Sequence, residues 1–518
     1  MESVNLATQL DDQELKSIAQ VVYEEYEYDE KSREGWLEKR AGWLEIYNQL
    51  DRTSGETWQS NDCFPILTEG CNLFQARFGK AFFPSRDFLT AISSEEKNSS
   101  EILQAAERIA THLNYQLSIQ DKSYKQDKIA MALAASQGGS DFTKAYRNPL
   151  KNKNVIERVR AVDLVVPYGT GPMRLEDIER KTHIIYMTIN NSKILAKGGY
   201  FTSPATKMDA NYDSKYQDVV DEAQGLERPY LNDYNQTACL LEQHRLLDLD
   251  GDGIAEPYTV TIDKTSKEIK RISIRYDVDE NGNPTNNKEP IEYFTAYHFL
   301  TNPDGFYGLG YGHLIGSLNL AINKLLRQTI DAATLANAGN MSGYISESLG
   351  IKGGDNDISI GRMKKIPKSM DDIRKGIYLM QFPGANPTLV NALQMLISAA
   401  QRISSTTDLI TGDIQKVLQP TTVMSLLEAG LQLPSSIMEQ MAFSFEDELS
   451  KLYRLNQKYM DTPEVIPGAK ESTTVTPQDY QYSFRIVPII DPKQITQQQR
   501  IAKSQELFQF SMNNPVIA

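Results

Sequence analysis

The sequence predicts an α+β fold that is mainly helical, with a β-rich region inserted between two helical regions. Apolar residues recur every three to four positions before residue 138 and again after residue 313, which is typical of helices. Between Val155 and Phe299 they alternate instead, which is typical of strands. The chain of 518 residues is too long for a single hydrophobic core, so we expect roughly two to four domains or modules.

The N-terminal part of the chain predicts helices at residues 11–50, 64–83, 100–117 and 126–137. Asp11 or Asp12 is suited to cap the first helix, and Glu14 lies in its first turn. An acidic and aromatic run at residues 23–30 is either a partner surface or a solvated face whose aromatic rings turn inward, and we favour the second. Residues 137–154 are rich in glycine and basic residues, which predicts a loop.

The middle of the chain predicts strands. Short runs of β-branched and aromatic residues, bounded by turn residues, indicate them. The runs lie at residues 155–166, 182–189, 239–247, 258–262, 269–276 and 291–299. The run at residues 182–189 is also compatible with an apolar helical turn.

A glycine-rich turn at residues 305–312 opens onto the longest helical pattern, from His313 to Ala338. Polar residues, including Asn319, Asn323 and Arg327, interrupt its apolar stripe, so it is not a membrane span. A glycine turn before a helix can bind phosphate, but the spacing here is not that of a dinucleotide-binding motif. We therefore interpret it as a tight turn that seats the helix against its neighbours.

The C-terminal part predicts an irregular segment followed by further helices. Within residues 339–383, short strands are expected at residues 343–345, 358–360 and 377–382. The later segments are a helix at 386–407, a loop at 409–421, a helix at 422–459 that is broken or bent near Pro434, β structure at 475–490 and the start of a helix at 492–510. The sequence stops at Ala518 without a visible domain end, so we expect that it continues in a longer protein.

The charge distribution limits the possible partners. A formal net charge of -14 argues against a protein that binds nucleic acid over its whole surface. It is compatible with a protein that lets nucleic acid slide past with little adhesion. Basic residues concentrate between residues 352 and 375. Such a segment is usually a solvated loop, and the functional alternative is a surface that docks a protein or faces phosphates. The docking candidates are Arg362, Lys364, Lys365, Lys368, Arg374 and Lys375.

An acidic motif at residues 248–258 resembles a calcium-binding loop. Asp248, Asp250 and Asp252 occupy positions 1, 3 and 5 of that pattern, and Glu256 falls at position 9. Position 12 is Thr259, where an EF-hand carries a bidentate glutamate. The alternatives are a hairpin stapled by structural calcium and an acidic β-turn without metal, and the missing last ligand favours the turn.

No catalytic motif is present in the sequence. The five histidines are scattered, the three cysteines lack metal-ligand spacing, and no phosphate-binding loop of the form G-x-x-x-x-G-K-[ST] occurs. We therefore expect no enzymatic activity and no cofactor apart from the calcium considered above.

The order of these segments resembles that of the portal protein of tailed bacteriophages. The stretches that carry the resemblance are LDLDGDGIAEPYTVTID, FYGLGYGHLIGSLNLAINKLLRQTIDAA and TDLITGDIQ followed by TTVMSLLEAG. Portal proteins form a ring, usually of twelve subunits, at one capsid vertex, and double-stranded DNA enters and leaves through its channel. The resemblance covers most of the chain.

The resemblance implies a domain order. It is a wing at residues 1–308, a first stem helix at 309–337, a clip at 338–385, a second stem helix at 386–410, a tunnel loop at 411–421, a wing return at 422–491 and the start of a crown at 492–518. It also implies which residues meet DNA without reading its sequence. These channel candidates are Lys324, Arg327, Gln415, Lys416 and Gln419.

The implied partners are further copies of the chain, double-stranded DNA, the terminase packaging motor, a tail adaptor and the major capsid or scaffolding protein, with no membrane. The implied location is the capsid vertex of the virion, after assembly in the host cytoplasm. Two alternatives remain: another head–tail connector or virion structural protein, and a packaging-related enzyme such as an ATPase or nuclease. The second would need a phosphate loop or an acidic metal cluster at strand ends.

Overall fold

The structure is a computed structural model, and the residues that it describes fall into two units. The described residues are 4–50, 59–85, 87–93, 100–171, 173–208, 215–226, 237–278, 288–338, 343–346, 363–366, 377–379, 383–404, 420–467 and 473–490. Unit 1 comprises residues 1–41, 71–310 and 431–518, and unit 2 comprises residues 42–70 and 311–430. Of the described residues, 51% are helical and 20% are in strands, which agrees with the expected α+β class.

The helices follow the predicted order, with additional short ones in the β-rich region. They are α1 Asp12–Ser32, α2 Glu34–Tyr47, α3 Ile66–Phe82, α4 Ser100–Tyr115, α5 Tyr124–Gly138, α6 Ile189–Lys197, α7 Lys215–Ala223, α8 Tyr311–Ala338, α9 Pro387–Ser404 and α10 Pro420–Tyr459. Asp11 caps α1 and forms a capping box with Glu14, as predicted. Helix α10 continues through Pro434, where the sequence predicted a break or a bend, so of these two the break is wrong. None of the described helices combines the length and apolar character that a bilayer span needs.

The strands form several small sheets. They are β1 Leu89–Ser93, β2 Ser140–Asn148, β3 Lys153–Val159, β4 Leu164–Val165, β5 Lys181–Thr188, β6 Thr237–Leu247, β7 Glu256–Asp263, β8 Ile269–Ile274, β9 Phe294–His298, β10 Gly343–Ser346, β11 Met363–Ile366, β12 Ile377–Leu379, β13 Glu464–Ile466, β14 Thr473–Val475 and β15 Phe484–Pro488. The sheet orders are β1-β15, β11-β10-β12, β13-β14, β3-β2-β9 and β4-β5-β6-β7-β8. The expected strand at residues 358–360 lies outside the described residues.

The structure corrects the prediction of a loop at residues 137–154, because residues 140–148 form β2, the central strand of a three-stranded sheet. Lys144, one of the basic residues that suggested a loop, is buried, and its Nζ lies 2.6 Å from Glu242. Asp141 accepts a hydrogen bond from Arg158 Nε at 2.5 Å and from the backbone N–H of Ala161 at 2.9 Å. A single sequence hides such a strand, because a buried lysine can be recognised only with its partner, and Glu242 is 98 residues away from Lys144.

In unit 1, the five-stranded sheet is covered by a helix on each face. Strand residues alternate between the two faces. Cys239 and Leu241 of β6 belong to the core cluster that contains Val22 and Tyr26 of α1. Their neighbours, Ala238 and Leu240, belong to the cluster that contains Leu195 of α6. Helices α1 and α6 therefore lie on opposite faces of the same sheet.

A buried ion pair joins α5, β2, β9 and α10 within unit 1. Glu448 is fully buried and accepts hydrogen bonds from Lys128 Nζ, from Tyr124 OH at 2.8 Å and from Tyr297 OH at 2.9 Å. Thr143 Oγ1 donates to the same carboxylate at 2.5 Å. Burial lowers the pKa of Lys128 to about 8, against the attraction of Glu448. The network therefore links α5, β2, β9 and α10, although α10 is distant from the other three in sequence.

Candidate functional site

The two long helices of unit 2, α8 and α9, pack against each other as a helical hairpin. Their shared core includes Ile322 from α8 and Leu393 and Ala400 from α9, all buried. Tyr311 at the start of α8 donates its hydroxyl proton to the backbone carbonyl of Ser404, at the end of α9, at 3.3 Å. The apolar stripes that predicted the two helices therefore meet each other.

An extended segment, the strap (residues 60–65), runs along α8 in the opposite direction to the helix. Four polar side chains hold it, one on each successive turn of α8. Asn319 Nδ2 donates to the carbonyl of Phe64 at 3.0 Å, and Asn323 Oδ1 accepts from the N–H of Phe64 at 2.8 Å. Asn319 Oδ1 also accepts from the N–H of Leu67, just beyond the strap, at 3.0 Å. One and two turns further on, Arg327 Nε donates to the carbonyl of Asp62 at 3.0 Å, and Asp331 Oδ1 accepts from the N–H of Ser60 at 2.7 Å.

We call the four side chains Asn319, Asn323, Arg327 and Asp331 the ladder. The ladder explains why polar residues interrupt the apolar stripe of α8. The residues of the ladder are spaced by four, so they form a row beside the apolar stripe. Leu67 lies in the first turn of α3, whose N–H groups have no partner within that helix. Asn319, which is 1% exposed, supplies one such partner, and it also donates to the carbonyl of Phe64 at 3.0 Å.

The structure separates the two stem residues proposed to face DNA. Lys324 is exposed, on a stripe of α8 that includes Ser317, Leu320 and Gln328. The guanidinium of Arg327 is instead directed at the strap, where it also lies 3.1 Å from Cys63 Sγ. A positive charge that is held by backbone carbonyls is a poorer candidate for phosphate contact than an exposed lysine.

The glycine-rich turn before α8 is a site of close backbone packing. A Cβ atom on Gly308 would lie 2.6 Å from the carbonyl oxygens of Gly139 and Leu300. A Cβ on Gly310 would meet the backbone of Gly139 and Gln137 at 2.6 and 2.7 Å. The N–H of Gly308 donates to a serine hydroxyl, Ser140 Oγ, at 2.7 Å. These contacts agree with the interpretation as a tight turn, since the glycines are needed for backbone approach.

The other candidate residues for docking and for the channel are only partly placed. Residues 343–346, 363–366 and 377–379 form the sheet β11-β10-β12, in which β10 and β11 are parallel. Lys364 and Lys365 lie on β11. The remaining candidates lie outside the described residues; they are Arg362, Lys368, Arg374, Lys375, Gln415, Lys416 and Gln419.

The structure brings the three aspartates of the acidic motif together. Ligand oxygens of Asp248, Asp250 and Asp252 lie within 4.8 Å of one another, and all three residues are exposed. Backbone N–H groups of the same turn occupy these carboxylates, such as that of Gly253 at 2.9 Å from Asp248 Oδ2. Glu256, the fourth candidate, is buried and forms an ion pair with Lys288. The turn therefore satisfies its own carboxylates in part, and Glu256 is engaged elsewhere.

A cavity of about 540 Å³ in unit 1 has many charged residues in its wall, and several of these charges form ion pairs. Lys144 Nζ lies 2.6 Å from Glu242, and Arg160 Nε lies 2.6 Å from Asp163. Burial lowers the pKa of His183 to about 3 and that of His244 to about 4, so both rings are neutral at pH 7. Paired charges and neutral imidazoles are typical of a structural polar core.

Comparison with known families identifies the chain. A scan against protein-family models matches residues 172–516, about two thirds of the sequence, to the family described as Phage SU10 portal protein. A search of the curated proteins finds no match. The match defines the chain as a phage portal protein, which confirms the resemblance inferred from the sequence. More specifically, the chain belongs to the phage SU10 portal protein family. Portal proteins are structural and not enzymatic.

Sequence reasoning missed the strap and most of its ladder. It noted Asn319 and Asn323 only as interruptions of an apolar pattern, and it assigned Arg327 to the DNA channel. The spacing of four that links them with Asp331 was the available signal, since such residues share one side of a helix. The strap itself could not be predicted from the sequence, because its backbone groups lie more than 250 residues before the α8 side chains that bind them.

Proposed function

We propose that copies of this chain form a closed ring, of twelve subunits as is usual for portals, at a capsid vertex. Double-stranded DNA would pass through the ring during packaging and ejection. The family match supports this proposal, and the strapped hairpin α8/α9 is the observation that carries it, because a long paired helix braced along its length suits a channel wall. The expected domain order of wing, stem, clip, tunnel loop and crown belongs to the same proposal.

Exposed apolar residues on the hairpin support assembly. Leu320 of α8 is 57% exposed and Met395 of α9 is 74% exposed. Large exposed apolar side chains on a rigid element favour contact with another protein surface. Head-to-tail contacts between identical subunits close into a ring when the rotation from one subunit to the next is a full turn divided by the number of subunits.

The weak positive charge of the hairpin supports passage of DNA. Lys324 and Arg402 are exposed, whereas Arg327 is engaged with the strap. Each phosphate contact releases counterions and adds to adhesion, so a wall with few exposed cations allows DNA to slide. The channel is therefore expected to contact the DNA backbone without reading its sequence.

The basic segment around β11 is proposed as the docking surface for the packaging motor and later for the tail adaptor. The support is its positive charge in a chain of net charge -14. The major capsid or scaffolding protein would contact the wing, and assembly would take place in the host cytoplasm. Charge reversal of Lys364 and Lys365 should weaken motor binding in a pull-down without preventing ring formation.

Negative-stain imaging of the purified chain tests the main proposal. We expect ring-shaped particles, and rotational symmetry analysis of their end views would count the subunits. A chain that sediments as a monomer at high concentration, in low and in physiological salt, would overturn the proposal. Crosslinking of double-stranded DNA to Lys324 in filled heads would test the channel assignment separately.

A further inference from the structure

The outer surface of α1 is acidic and carries exposed apolar groups. Val22 and Tyr26 face the sheet, whereas Val21 is 41% exposed and Tyr28 is 65% exposed. Glu24 and Glu27 are exposed between them, and residues 20–28 contain no lysine or arginine. The aromatic rings of this run were expected to turn inward, and Tyr28 does not. We call Val21, Glu24, Glu27 and Tyr28 the α1 face.

The outer surface of α6 has the opposite character. Lys193 and Lys197 lie one turn apart and are exposed. Ile194 lies beside them and is 53% exposed, while Leu195 packs into the sheet. Residues 189–197 contain no aspartate or glutamate. We call Lys193, Ile194 and Lys197 the α6 face.

The two faces point away from the same sheet in opposite directions. Alternating residues of β6 contact α1 on one side and α6 on the other, so the sheet separates the two helices. One side of this part of unit 1 therefore ends in an acidic face with an aromatic ring, and the other ends in a basic face with an aliphatic group. A molecule with complementary surfaces on opposite sides can join identical copies head to tail.

We propose that the α1 face of one copy binds the α6 face of the next copy. This inference rests on the proposed ring and adds the surfaces that join its subunits. Glutamates 24 and 27 would meet lysines 193 and 197, and Tyr28 and Val21 would cover Ile194. Contact between two α1 faces is disfavoured, because like charges directly opposite each other repel. The arrangement is therefore head to tail, as a ring requires.

Paired charge reversals test the contact. Variant A is Glu24→Lys with Glu27→Lys, and variant B is Lys193→Glu with Lys197→Glu. In each variant alone the two faces carry the same sign. We expect the protein concentration at half-assembly to rise at least about tenfold over that of the unmodified chain, because like charges facing each other across a contact are unfavourable. Analytical ultracentrifugation and imaging give the measurement.

Mixing the variants gives the decisive outcome. The basic α1 face of A fits the acidic α6 face of B, and the unmodified faces of the two variants also fit each other. An equimolar mixture should therefore assemble into rings in which A and B alternate. A chain that carries all four substitutions should also assemble, since both of its faces are reversed.

A matched control separates this contact from a general effect of charge. Glu101→Lys with Glu107→Lys changes the net charge as variant A does, at exposed positions of α4, and it should assemble as the unmodified chain does. Circular dichroism verifies that every variant is folded. If A and B each assemble normally, or if both fail and their mixture also fails, the proposed contact is wrong. Rings of the unmodified chain would still support the portal function, so the two failures can be told apart.

Discussion

Asn319 of α8 accepts a hydrogen bond from the backbone N–H of Leu67 at 3.0 Å, so a side chain of one helix completes the first turn of another. Both groups are buried. A first-turn N–H group has no partner within its own helix and is usually satisfied by a capping side chain close in sequence. Here the partner is 252 residues away.

Replacing Asn319 with leucine should destabilise unit 2. The substitution leaves the Leu67 N–H and the Phe64 carbonyl without their partners, at a cost of about 1–3 kcal/mol for an unsatisfied buried group. Urea denaturation measures the destabilisation, and limited proteolysis of residues 60–65 should accelerate. Gln328→Leu, at an exposed position of the same helix, should change stability by no more than about 0.5 kcal/mol. Equal effects of the two changes would contradict the role of the ladder.

Lys324 and Arg327 should respond differently to replacement by glutamine. Lys324→Gln should leave the unfolding midpoint unchanged and reduce the salt dependence of DNA binding by assembled rings, with a slope smaller by about 1 for each phosphate that the lysine neutralises. Arg327→Gln should lower the midpoint, because the carbonyls of residues 61 and 62 no longer have this donor. A salt slope that changes only with Arg327 would reverse the assignment.

Breaking the buried pair of Lys128 and Glu448 should be costly. Lys128→Met leaves a fully buried carboxylate without its cation, and such changes typically cost about 3–5 kcal/mol. The control is Lys458→Met, which breaks a partly exposed pair with Asp277 and should cost about 1 kcal/mol or less. Denaturation curves of both variants give the comparison. The double variant Lys128→Met with Glu448→Met should recover part of the stability.

Acidification should destabilise unit 1 through its buried histidines. Burial lowers the pKa of His183 to about 3 and the pKa values of His244 and His298 to about 4, against about 6.5 in an unfolded chain. The unfolded chain therefore binds more protons between pH 6.5 and 4, so stability falls as the pH is lowered through that window. Each histidine contributes up to about 1.4 kcal/mol per pH unit.

The variant His298→Asn isolates one of these histidines. Denaturation midpoints at pH 7 and pH 5 should differ less in this variant than in the unmodified chain, because one proton-binding difference is removed. An unchanged difference would show that His298 is charged in the folded state.

The acidic turn at Asp248 should bind calcium weakly. Its three aspartates lie within ligand distance of one another, but Glu256 is paired with Lys288 and position 12 is Thr259. Loops with few anionic ligands bind calcium weakly, with dissociation constants of about 0.1–1 mM. Isothermal titration should therefore detect no binding at micromolar calcium, and metal analysis of protein prepared without chelator should find none. Tight binding would show that Glu256 can leave Lys288.

Local patterns predicted the parts of the fold that depend on local physics. The apolar repeat located α8 and α9, and the Asp11 and Glu14 pair located the start of α1. Strand β2 was missed because its buried polar residues are paired with groups such as Glu448, 305 residues away. The α1 face was predicted only in part. A helical repeat shows which residues share a side of the helix, but it does not show which side the sheet covers, so the exposure of Tyr28 was not predicted.

The ladder along α8 also has a mechanical consequence. Its four contacts extend over twelve residues of helix, about 18 Å, and each joins the helix to the chain segment beside it. A force that slides the helix along its axis strains all four contacts together, whereas a force that lifts the strap from one end breaks them in sequence. The hairpin is therefore expected to resist axial load far better than peeling.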